Sequence, residues 1–124
     1  MNPDLFAKAV SKALDELPEE FKEKIENVEV IVEDFPDRQT MDSLGISSRW
    51  GLLGLYVGVP INQKSVFSVN ILPERIYLYR LPILRMAGGS GNIAEAIRDV
   101  LLHEIGHHFG FSEEDLERMD EVDD

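Results

Sequence analysis

A chain of 124 residues with 44% hydrophobic side chains has material for one core and one domain, residues 1–124. Acidic residues outnumber basic ones by 24 to 12, and the formal charge of −12 repels nucleic-acid phosphates and anionic lipid surfaces, so neither nucleic acid nor a membrane is an expected partner. Cysteine is absent, which excludes disulfides, a thiolate metal site and a cysteine nucleophile, and leaves nitrogen and oxygen to hold any metal.

No apolar run approaches the roughly 18 residues of a membrane helix. The start MNPDLFAKAV has neither the basic nor the apolar stretch of a secretion signal, so the cytoplasm is the expected location. Pro3 suits a first helical position, and Leu5, Phe6, Ala9, Val10, Ala13, Leu14 and Leu17 repeat at helical spacing as far as Pro18. Pro18-Glu19-Glu20 and the Phe21/Ile25 pair start a second, short helix that stops by Asn27.

Val28 to Glu33 is short and rich in β-branched residues, as a strand is, and Phe35-Pro36-Asp37 closes it. Gln39 to Gly54 reads as a helical turn and a loop that holds the only tryptophan, Trp50, a residue type that usually anchors a core. Leu55 to Val59 and Arg75 to Tyr79 read as two more strands, and Val66 to Ile71 between them is a candidate for further pairing. Arg80 to Met86 reads as a helical turn, and Gly88-Gly89-Ser90-Gly91 as a flexible connector. The connector lacks the lysine and following Ser/Thr of a phosphate-binding loop.

Asn92 and Glu95 have capping-box spacing, and Ile93, Ala96, Ile97, Val100, Leu101, Ile105 and Phe109 then repeat at helical spacing. Ala94 and Leu102 carry the apolar surface around most of the circumference, which predicts a central, buried helix from Asn92 to about Phe109. Gly110 ends it, and Leu116 and Met119 supply the buried face of a final short helix.

The buried helix carries His103-Glu104-Ile105-Gly106-His107. Residues four apart project from one side, so His103 and His107 can offer imidazole nitrogens to one ion, while Glu104, about 100° away, reaches a water beside it. This is what a hydrolase needs: the metal makes water acidic and polarises a carbonyl, and the carboxylate takes a proton and later delivers it to the leaving amine. Structural histidines would satisfy the same spacing, but an ionised Glu and unpaired imidazoles are costly inside an apolar helix. Zinc suits these ligands, with manganese, iron, cobalt and nickel chemically possible.

A catalytic zinc usually has three protein ligands. A sharp turn at Gly110 brings Phe111-Ser112-Glu113 back toward the metal, and the string HExxHxxGxxE resembles the metzincin pattern HExxHxxGxxH with Glu113 at its last histidine, so Glu113 is the preferred third ligand, with Glu114, Asp115 and Glu117 as substitutes. His108 points away from His107 and reads as a supporting histidine.

The string LLHEIGHHFGFSEEDLERMD, with LLGLYVGVP and LPERIYLYRLPILRM upstream, resembles the small bacterial zincin-like metallopeptidases, minimal single-domain members of the zincins. The resemblance covers about residues 45 to 120, and HEIGHHFG is its most specific part. It implies an α+β zincin-like fold, with a small mixed sheet packed against a long active-site helix and an N-terminal helix. It also implies zinc on His103 and His107, an acidic ligand after Gly110, and Glu104 as general base. Zincins bind an extended peptide along an edge strand; by that analogy Ile76 to Tyr79 is the edge, and Tyr77 or Tyr79 binds substrate at the oxyanion. Arg75, Arg80 and Arg85 read as partners of nearby acids. The expected activity is zinc-dependent hydrolysis of peptide bonds in peptides or flexible protein segments, the alternatives being a non-catalytic metal-binding scaffold or regulator and a hydrolase of non-peptide amides.

Overall fold

Helices and strands begin where the sequence supplies a cap or a breaker. The computed structural model describes residues 1–58, 74–88 and 92–122. Helix α1 (Pro3–Asp15) starts with the Asn2 side chain accepting from Leu5 N and with Pro3 in its first turn, so orphan amides are satisfied before propagation begins. Phe6, Val10 and Ala13 form its buried stripe, whereas Leu5 remains 51% exposed. The short α2 (Glu19–Lys24) follows Pro18 and buries Phe21.

Among the described residues, strands β1 (Val28–Glu33), β2 (Gly54–Val57) and β3 (Glu74–Tyr79) form a mixed sheet in the order β1-β3-β2. β3 runs parallel to β1 and antiparallel to β2. The expected edge, Ile76 to Tyr79, is therefore the centre of the sheet. Hydrogen bonding on both sides suits its Ile76, Leu78 and Tyr79, all buried. Helices α3 (Arg38–Leu44) and α4 (Arg80–Met86) follow the ends of β1 and β3. Val66 to Ile71 and Gly89 to Gly91 lie outside the described residues.

The helix that starts at Asn92 is continuous in direction but not in hydrogen-bond register. α5 (Ile93–Asp99), capped by Asn92 accepting from Glu95 N, passes into a π turn (Val100–Ile105) and then a 3₁₀ turn (Gly106–Phe109). The π turn carries Val100, Leu101 and Leu102, three consecutive side chains that are all buried. They pack with Phe6, Phe21, Ile76 and Leu78 in one core between the helices and one face of the sheet. Burial of side chains of this size contributes about 2 kcal/mol each, so the middle of this helix is anchored more firmly than any exposed contact would hold it.

Trp50 is not a core anchor. It is 36% exposed, edge-on to Phe35 at 4.8 Å between ring centroids, with the Arg85 guanidinium 5.1 Å over its ring. The other two arginines pair with acids as expected, Arg75 with Glu29 and Arg80 with Asp34. No helix among the described residues is long and apolar enough to cross a membrane.

Candidate active site

His103 lies in the π turn with Glu104, and His107 in the 3₁₀ turn. A π turn advances less per residue than the 100° of an α-helix and a 3₁₀ turn advances more. His103 is half-buried and His108 exposed; the side chains of Glu104, His107 and Glu113 lie outside the described set. Among the described side chains, no three of His, Asp and Glu come together to hold a metal, and three of the four residues predicted for the metal and its water, Glu104, His107 and Glu113, are not among them.

The chain reverses at Gly110, whose φ of +88° is the left-handed conformation that favours glycine. Phe111 N–H then donates back to the Gly106 carbonyl at 3.3 Å, the six-to-one bond of a Schellman cap. Phe111 is buried and stacks on Phe21 at 5.5 Å, so the turn is held by an apolar contact as well as a hydrogen bond. Helix α6 (Glu113–Val122) begins at once. Its start is a reciprocal box: Ser112 N donates to Asp115 Oδ2 at 3.0 Å and Asp115 N to Ser112 Oγ at 3.1 Å.

This box engages one of the substitute ligands, Asp115. The Asp115 carboxylate is committed to Ser112 and approached by Arg118 at 3.7 Å, and the Ser112 hydrogen bonds first, then Arg118, hold it below the usual carboxylate range. Glu113 stands at the first position of α6, and Glu114 and Glu117 are exposed on the same helix.

Tyr77 and Tyr79 stand on the wrong face for the role expected of them. In β3 they alternate with Ile76 and Leu78, which join the core beneath the helix, so the two tyrosines point to the opposite face of the sheet. They stack on each other at 6.4 Å, and Tyr79 is only 1% exposed. The tyrosine on the helix side is Tyr56 of β2, which pairs with Ile76. Its ring stacks on His108 at 5.4 Å and 29°. Burial first, then its hydrogen bond and proximity to Glu74, pushes the phenol up to about 12, so it is a neutral donor near pH 7. The alternation in Leu55-Tyr56-Val57 marks Tyr56 as one-sided, but which side awaits the register.

Gly106 was also silent in the sequence beyond being a glycine inside a helix. A Cβ there would meet Leu116 Cδ2 at 2.7 Å and Phe21 Cε2 at 3.4 Å. The residue between the two histidines is thus where α6 and α2 press against the helix.

A family model described as zincin-like metallopeptidase matches residues 25–122. Among solved structures, a conserved hypothetical protein from Thermo thermophilus aligns with a TM-score of 0.55 at 28% sequence identity, over 86% of this chain and 92% of that one. No protein of curated function gives a match.

Proposed function

Because the chain belongs to the zincin-like metallopeptidase family, we propose that it hydrolyses peptide bonds with zinc held by His103, His107 and Glu113 and with Glu104 as the proton-transferring group. The observation that carries the reading is that the family match runs through the HEIGH segment on a helix that turns back at Gly110 and starts α6 at Glu113. Two imidazoles and a carboxylate are a donor set that suits zinc and leaves one position open. Bound there, zinc would supply Lewis acidity, polarising the scissile carbonyl and making water acidic.

The chain's own groups do the rest. Glu104 accepts a proton from the attacking water and returns it to the departing amine. The outer side of β2, which has no partner among the described residues, offers backbone donors and acceptors to an extended peptide. Tyr56, beside the helix end with its hydroxyl held by Glu74, lines the substrate side of the sheet in place of Tyr77 and Tyr79.

The test is metal content together with cleavage of a mixed peptide library. Purified protein is expected to bind one zinc and cut peptides; His103→Ala loses the zinc, and Glu104→Gln keeps it but loses cleavage by at least about a hundredfold, within the range that proton transfer contributes. Zinc binding with equal turnover in Glu104→Gln would overturn the assignment of Glu104. Zinc binding with no cleavage by the parent would favour a scaffold or regulator.

A further inference from the structure

Helix α3 buries none of its seven residues. A helix this short does not persist on propensity alone; it is held by the Asp37 cap, whose carboxylate accepts from Thr40 N at 2.7 Å, and by Gly45 at its end. One stripe of it, Gln39, Thr40, Ser43 and Leu44, faces Leu55 and Val57 of β2 across a cavity of about 420 Å³. Leu44 and Val57 remain 48% and 44% exposed. Two large apolar side chains therefore flank an open space beside the strand that runs along the active-site helix.

Resting on the peptidase reading, we infer that this groove is the subsite that selects the substrate, accepting uncharged, apolar side chains of a peptide laid along β2. The register supplies the geometry. Tyr56 points to the helix side, and Leu55 and Val57 point to the α3 side. Directly opposed residues of neighbouring strands share a face. A peptide paired beside β2 thus turns one side chain toward the helix at the level of Tyr56, and the next on either side toward the groove.

The chemistry of the walls supplies the selectivity. In a protein with 29% charged residues and a net charge of −12, the groove is walled by amide, hydroxyl and aliphatic groups, and Tyr56 at its margin stays neutral near pH 7. Among the described residues of its walls no charged group compensates a desolvated charge, so Asp, Glu, Lys or Arg side chains pay the cost of leaving water unpaired, whereas Leu, Met or Val side chains cover Leu44 and Val57 and are favoured.

The experiment profiles zinc-loaded parent, Leu44→Lys and Leu44→Glu on a peptide library, with circular dichroism to confirm folding; Leu44 is at the surface and tolerates both. The parent is expected to prefer apolar over charged residues at one position near the cut. Leu44→Lys and Leu44→Glu are expected to lower kcat/KM for the apolar peptides by about tenfold or more, the scale of a changed pocket contact. Leu44→Lys is expected to gain acidic residues at that position alone, with preferences elsewhere unchanged. An unchanged profile, or a uniform loss at all positions, would overturn the inference. Should the parent cut nothing, the peptidase reading falls by itself; the same peptides are then titrated onto the three proteins, and binding that ignores residue 44 overturns the groove as well.

Discussion

Gly106 shows how a single missing methyl organises the site. An alanine there would place its Cβ 2.7 Å from Leu116 and 3.4 Å from Phe21, and both of those side chains are fully buried, so neither swings aside. Alanine favours a helix over glycine by about 1 kcal/mol, but overpacking of this kind costs about 1–3 kcal/mol. Gly106→Ala is expected to lower the melting temperature, and Gly106→Ala with Leu116→Ala to lose less than the two single losses added. A melting temperature at or above the parent's would show that the packing gives way. Tyr56 and Tyr79 make a second test. Burial is the first cause raising both phenols to about 12, helped by Glu74 for Tyr56 and by Glu33 and Asp37 for Tyr79. A raised phenol favours the folded state fully below its ordinary value of 10.0 and loses that contribution as pH rises toward 12. Denaturant midpoints are expected to fall over that window, and more gently in Tyr56→Phe and Tyr79→Phe; an identical slope in both variants would contradict the burial.

At the scale of elements, the local signals were legible because they act within a turn or two. Asn92 caps α5, Pro18 precedes α2, and Gly110 closes the histidine helix as its composition predicts. The hydrogen-bond register inside that helix was not legible: the apolar spacing of Val100 to Phe109 does not distinguish an α-helix from a π turn followed by a 3₁₀ turn. Gly110 itself separates backbone from packing effects, because nothing lies within 4 Å of the position a Cβ would take. Gly110→Ala is therefore expected to cost about 1–2 kcal/mol through its left-handed φ alone. Since the same turn leads to Glu113, zinc affinity measured against a competing chelator is expected to fall with it. Lost stability with unchanged zinc affinity would exclude Glu113 as a ligand.

Across the whole molecule, α6 is held against the remainder by two kinds of contact of unequal weight. Arg118 pairs with Glu20 at 2.8 Å, but the two side chains are 56% and 41% exposed, and an ion pair so hydrated contributes under about 1 kcal/mol. Leu116 of α6 and Phe111 just before it are buried, Phe111 stacked on Phe21, and truncating such a ring costs about 3–5 kcal/mol. Urea unfolding is expected to rank Phe111→Ala far below Arg118→Ala in stability. The reverse order would mean that α6 is held by charge.

The caps, the breakers, the buried helix and the spacing of His103, Glu104 and His107 are legible along the chain, because each of these is set by neighbours within a few residues. That β3 is central, that Tyr56 and not Tyr77 or Tyr79 lies on the helix side, and that Asp115 accepts from Ser112 emerge only when the chain folds. Strand order depends on which chain segments meet across the sheet, and a one-residue change of register exchanges the two faces, so no pattern along the chain carries that information.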